Sequence, residues 1–124
     1  MNDTELAIIL FKAFAENDLE AARSLCHPDM KAIQNNNPAM DLDTLLGFSD
    51  AVSKVVRNFR YEDVIRSVTD TGFVEEHSVR GTLPDDSELH LAVCVVAEVE
   101  EGKIKLLREY IDTSSAAGLL QALA

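Results

Sequence analysis

The residues able to do chemistry in this chain gather in two stretches. "GKIKLLREYID", Gly102 to Asp112, sets Arg108, Glu109, Tyr110 and Asp112 among leucines and isoleucines. "VEEHSVR", Val74 to Arg80, carries Glu75, Glu76, His77 and Ser78 in succession. A carboxyl group held among apolar side chains resists ionisation, and an imidazole titrates near neutral pH, so both are natural general acids or bases. Which of them share a surface depends on the strands that carry them.

The turn before Glu109 offers two registers. In "VEEGKI", a two-residue loop, Glu101-Gly102, places Glu101 at positive φ, which is unfavourable for that residue. A three-residue loop needs only its last residue left-handed, and Gly102 suits that position. The longer loop pairs Val99 with Lys103, which sets Val93 opposite Glu109 and Leu91 opposite Ile111. In "ELHLAVCVVAEV" one face is Leu89, Leu91, Val93, Val95, Ala97 and Val99, and the other is His90, Ala92, Cys94, Val96 and Glu98. The larger apolar set belongs under the helices. Glu109 is therefore expected on the core face between Leu107 and Ile111, as a proton carrier; the competing role is a rim residue, or the partner of a core-facing arginine. With a two-residue loop the faces swap, and Arg108, Tyr110 and Asp112 line the interior.

The "LPDDSE" turn does not fix its own length. A four-residue loop turns Glu76, Ser78 and Arg80 inward, and a loop one residue different turns His77 and Val79 inward. The first register gives Glu109 and Glu76 as candidate catalytic residues, since two nearby carboxylates push one pKa up. Ser78, Phe14, Leu91, Val93, Leu107 and Ile111 are then the candidate substrate-binding positions. The competing reading of Glu75 and Glu76 is a solvated pair; with the other loop length His77 is the alternative base. His27, His77 and His90 form no metal motif, and neither a glycine-rich phosphate loop nor a nucleophile elbow is present. No metal and no cofactor is expected.

The elements that position these groups follow from periodicity. "DTELAIILFKAFAEN" places Leu6, Ile9, Leu10, Ala13 and Phe14 at helical spacing, capped by Asp3 or Thr4, with Ile8 and Phe11 widening the apolar face. "DLEAARSLC" is a second helix starting at Asp18 and ending by Pro28. "MKAIQN" is a short strand, "NNNP" a loop, and "SDAVSKVVRNF" a third helix capped by Ser49. "RYEDVIRSVTD", "FVEEHSVRGTL", "ELHLAVCVVAEV" and "IKLLREYID" read as an antiparallel meander. "SSAAGLLQALA" closes the chain as a short helix capped by Ser114 or Ser115. Helices first and strands second give an α+β class.

The bulk numbers set limits. The 124 residues suit one domain, 1–124, and 47% apolar residues suit a packed core. A net charge of -11, from 22 acids against 11 bases, argues against nucleic acid or anionic membrane as partners. The beginning, "MNDTELAIILFKAF", lacks the basic start of a signal peptide, and no apolar run nears the ~20 residues of a membrane span. Cys26 and Cys94 read as buried thiols of a reducing compartment, so a cytoplasmic location is expected. Ala92, Cys94 and Val96, beside His90, Arg108 and Tyr110, make an apolar strip on the outer sheet face, and a homodimer packed sheet to sheet is expected to cover it.

The order of elements, the ending "VEEGKIKLLREYID" and the weaker matches "CHPDM" and "GFSDAV" resemble the SnoaL-like polyketide cyclases. These sit within the superfamily that resembles nuclear transport factor two, with ketosteroid isomerases and limonene epoxide hydrolases. The resemblance implies a cone-shaped curved antiparallel sheet wrapped by N-terminal helices around one pocket. Set beside the epoxide hydrolases, Glu109 falls at a catalytic aspartate of the last strand, and Leu91 and Val93 at pocket-lining positions. Their arginine and second aspartate fall at Glu76 and Ser78, which lack the chemistry, so the resemblance does not extend to that triad. It implies a cofactor-free acid–base enzyme of isomerase, cyclase or hydrolase type on a small, mostly apolar molecule. The alternative is a non-catalytic ligand-binding or assembly module. A deep cavity with Glu109 and a hydrogen-bond donor converging on it favours the first; an interior filled by side chains favours the second.

Overall fold

The structure is a computed structural model that describes residues 1–124. Helix α1, Asp3–Ala15, is followed by α2, Leu19–Ser24, strand β1, Cys26–Gln34, and α3, Leu42–Val55. Strands β2, Arg57–Val68, β3, Gly72–Thr82, β4, Glu88–Glu100, and β5, Lys103–Ile111, come next. A 3-10 turn at Thr113–Ser115 leads to α4, Ala117–Leu123. The sheet order is β1-β5-β4-β3-β2. Strands β2 to β5 form the antiparallel meander, and β1 joins β5 in parallel, so the curved, unclosed sheet is mixed. A parallel neighbour is available because α3 carries the chain across between β1 and β2.

Local chemistry moves several boundaries. Asn2, rather than Asp3 or Thr4, caps α1, its Oδ1 accepting from Glu5 N at 2.8 Å. The buried face of α1 is Leu6, Ala7, Leu10, Phe11 and Ala13, while Ile8 and Ile9 stand in solvent. Asp18 caps α2 as its position suggests. Asp41, not Ser49, caps α3, accepting from Thr44 N at 2.8 Å, so the helix starts about two turns earlier and stops before Arg57. Ser49 thereby becomes a mid-helix residue. Neither Ser114 nor Ser115 caps α4, which starts after Ala116 with no side-chain cap; Asp112 caps the 3-10 turn before it.

The core lies between the inner sheet face and the helices. Phe73, Leu89, Leu91, Val93, Val95, Ala97 and Leu107 from the sheet are buried there with Leu6, Leu10 and Phe11. This is the larger apolar face of β4, as area burial requires.

Two bulges decide which side chains enter that interior. The β4–β5 turn has two residues, with Glu101 at φ 53 and Gly102 at φ 78. The left-handed Glu101 costs about 1–2 kcal/mol, offset by a turn whose twist matches the strands. This shorter loop alone would send Glu109 outward. Val99 pairs Ile104, but Glu98 pairs Leu106, so Lys105 is an extra residue. The bulge reverses the faces again, and Glu109 arrives on the inner face opposite Val95, not Val93; Ile111 faces Val93. In β2 the register shifts between Glu62 and Ile65, at a positive-φ Asp63. That shift sets Arg66 opposite Glu75; an unbroken register would have set it opposite Val74. One added residue in a strand carries every later side chain to the other face.

Candidate functional site

The interior holds a cavity of about 250 Å³ between the sheet, α1, α3 and α4. Its lining is mainly apolar, with Phe11 and Phe14 from α1, Phe48 from α3, and Phe59 and Tyr61 from β2. Leu91, Val93 and Val95 form the β4 wall, and Leu107 and Ile111 the β5 wall. Phe14, Leu91, Val93, Leu107 and Ile111 all line it. From α4 come Leu119 and Leu120.

Glu76 and Ser78 do not. The β3–β4 loop runs from Leu83 to Ser87, because Thr82 pairs Glu88. That is one residue longer than the register which turns Glu76 inward. Glu76 therefore lies on the outer face opposite Cys94 and is exposed, and Ser78 lies opposite Ala92, beside His90 Nε2 at 3.2 Å. Their places inside are taken by Glu75 and His77. Glu75 is fully buried and His77 nearly so. Reading Glu75 and Glu76 as a solvated pair holds for the second residue only.

Three polar systems meet this cavity. Glu109 lines it, and Gln34 Nε2 donates to Glu109 Oε1 at 3.1 Å. Burial raises the Glu109 pKa above the usual carboxylate value, against the smaller opposing pulls of His77 and the Gln34 amide. Asn35 clamps the strand on either side. Its backbone N–H donates to Glu109 O at 2.9 Å, and its side chain both accepts from Ile111 N at 2.9 Å and donates to Ile111 O at 2.8 Å. A left-handed Asn at φ 46 lets β1 stop while its side chain extends the pairing.

His77 closes the second system. Its Nδ1 lies 2.6 Å from Glu75 Oε2, and Glu75 Oε1 accepts from Arg66 Nε at 2.8 Å. The imidazole packs against Tyr61 at 4.4 Å between ring centroids and edge-on to Phe11 at 5.0 Å. Tyr61 is the third group. Burial, and then the negative charges of Glu109 and Glu75, keep its phenol protonated far above its ordinary range. It is a donor at every physiological pH.

The cavity thus offers a carboxyl group inclined to keep its proton, an imidazole fixed by a buried carboxylate, and a phenol. Glu75, Arg66, Gln34 and Asn35 carry no sequence motif. The spacing Glu75-x-His77 on a strand was the available signal, since i and i+2 share a face.

The sequence model of the SnoaL-like domain matches residues 9–107. No curated protein matches the chain in sequence. Among solved structures, a candidate polyketide cyclase from Pseudomonas putida KT2440 is 20% identical, with TM-score 0.80, over 93% of this chain and 95% of that one. A protein of ketosteroid isomerase-like fold from Catenulispora acidiphila DSM 44928, in complex with trimethylamine, is 13% identical, with TM-score 0.79, over 95% and 92%. An LEH-like epoxide hydrolase from M. tuberculosis is 17% identical, with TM-score 0.75, over 96% and 90%. At these identities the three structures share the fold with this chain.

Proposed function

The chain belongs to the SnoaL-like domain family, and on that premise we propose that it is a cofactor-free acid–base enzyme acting on a small, mostly apolar organic molecule. The observation that carries the proposal is the pairing of Glu109 and His77 on the inner face of one open apolar cavity. A filled interior would favour a module without chemistry. Here the space is open, and two proton carriers and a phenol border it.

The roles follow from the environments. Glu109, with its raised pKa, delivers a proton to an oxygen of the substrate; His77 takes one from carbon or water. Tyr61 adds a neutral donor where negative charge develops. No lysine or arginine lines the cavity. A carboxylate or phosphate would enter without a counter-ion, so the substrate is neutral at the reacting end. The trimethylamine complex of the Catenulispora relative supports a small organic ligand. The reaction belongs to the isomerase, cyclase or hydrolase type that the relatives' names span.

The test is a thermal-shift screen of small neutral ketones, epoxides and lactones, followed by turnover assays of the binders. His77→Gln is expected to keep binding and to slow turnover by about 10²–10⁴-fold, the usual share of a general base. A binder turned over equally well by the variant would end the assignment of His77 as base.

The outer sheet face carries a second proposal, a twofold dimer. Ala92, Cys94 and Val96 continue there into Leu106 and the exposed Ile65 and Tyr110, ringed by His90 and the Arg108–Glu98 ion pair. Covering that strip with its copy removes apolar area from water. Light scattering at micromolar concentration is expected to give twice the 13.6 kDa chain mass. Cys94→Arg is expected to shift the population to monomer, and a wild-type monomer would count against the dimer.

A further inference from the structure

We infer that Glu75 and Arg66 are positioning residues for His77: together they fix its ring proton on Nδ1 and leave Nε2 as the atom that exchanges protons in the cavity. The consequence for turnover rests on the acid–base reading above; the geometry does not.

Arg66 sets the pattern of donors and acceptors around the ring. A guanidinium keeps its protons at any pH the fold survives, and it only donates. Its Nε points at Glu75 Oε1 from 2.8 Å, so that oxygen accepts. That oxygen belongs to a carboxylate in a salt bridge with Arg66, and a carboxylate has only acceptors. The other oxygen, 2.6 Å from His77 Nδ1, therefore accepts too. Nδ1 must carry the hydrogen. In a neutral imidazole the second nitrogen is then bare. Nε2 makes no hydrogen bond within the protein, and the ring lines the cavity.

The groups facing the ring from every side agree with this. On β3 there is Glu75; on β2, Arg66 and Tyr61; on β5, Glu109, two strands along the same inner face. From α1 comes Phe11 and from β4 Val93, neither of which titrates. Glu75 is the only one of these groups hydrogen-bonded to the ring, so the tautomer follows from Glu75 and from the guanidinium paired with it. The β2 bulge at Asp63, by turning Arg66 inward, sets which nitrogen of a residue on the next strand is basic.

Glu75→Gln gives a sharp outcome. Arg66 still requires an acceptor, so the amide oxygen stays on the arginine side and the NH2 turns to His77. Nδ1 must then accept, and the proton moves to Nε2. Histidine labelled with 15N reports this directly through long-range 1H–15N correlations, with the His77 signals identified by their loss in His77→Gln. His27 and His90, outside the cavity, are internal controls. The wild type is expected to show the Nδ1–H tautomer, Glu75→Gln the Nε2–H tautomer, and Glu75→Gln with Arg66→Met a mixture, because the amide is then free to turn. An Nε2–H tautomer in the wild type overturns the inference, and so does an unchanged tautomer in Glu75→Gln. Should the variants fail to fold, the wild-type spectrum still decides. With a substrate in hand, Glu75→Gln is expected to lower kcat by on the order of 10⁴ with KM little changed, as for other bases held in the wrong tautomer. The assigned tautomer without turnover of any compound would sink the enzyme reading and leave the positioning intact.

Discussion

Glu109→Gln is expected to leave the protein folded, raise its melting temperature at neutral pH, and reduce turnover by at least about 10²–10⁴-fold. Glu109 lies in an apolar wall, and burial raises its pKa. A folded-state pKa above the unfolded value of ~4.3 means that the protonated form is favoured by folding. That contribution is fully present below the unfolded pKa. It is lost as pH rises through the folded one, where the native state must hold a poorly solvated carboxylate. Gln has the same shape, accepts from Gln34 at the same oxygen, and never ionises. Melts of the two proteins should coincide near pH 4. They should separate as pH rises, with the variant ahead by about 1 kcal/mol, a few degrees in Tm. The opposite outcome is informative: a Gln variant several degrees less stable at pH 7 would mean that an ionised Glu109 is held by protonated His77 as a structural pair. The acid assignment would then fall.

Glu75→Ala is expected to be the most damaging single substitution near the site. Glu75 is fully buried and satisfies two groups at once, Arg66 and His77. Removing one partner of a buried ion pair costs about 3–5 kcal/mol, because the other charge is left without compensation. Arg66 is about one-quarter exposed, at 26%, and can swing toward water, which favours the lower end, about 3 kcal/mol. Urea unfolding should show a lower midpoint with an unchanged slope. Glu76→Ala, on the exposed outer face of the same strand, should stay within about 0.5 kcal/mol of the wild type. Equal losses for the two would contradict the face assignment of β3.

The resemblance to epoxide hydrolases sets Glu76 and Ser78 beside the arginine and second aspartate of their triad. Glu76 and Ser78 look away from the cavity, so neither stands where that triad's arginine and second aspartate would be needed. The inward positions of β3 hold Glu75 and His77, and the arginine comes from β2. Glu75, with Arg66 behind it, holds the imidazole of His77, which lines the cavity.

The amino-acid sequence by itself determined the class of fold and the inner face of β4. Alternation of Leu89, Leu91, Val93, Val95 and Ala97 against His90, Ala92 and Cys94 leaves only one side able to face the helices, because area burial sums over the whole strand and outweighs any single residue. It also marked Glu109 as an inner-face carboxylate, though through a turn the protein does not use. The three-residue loop and the two-residue turn followed by a bulge at Lys105 give the same side and differ by two residues in register. Tertiary structure alone decided the rest. Whether Glu76 or His77 enters the cavity turned on one residue in the Leu83–Ser87 loop, and whether Arg66 reaches Glu75 turned on one extra residue near Asp63. A loop or bulge of one residue more changes local energy by about 1 kcal/mol, too little to read from propensities. Yet it moves every side chain beyond it to the opposite face, and what selects it is the summed fit of that face against the helices and neighbouring strands.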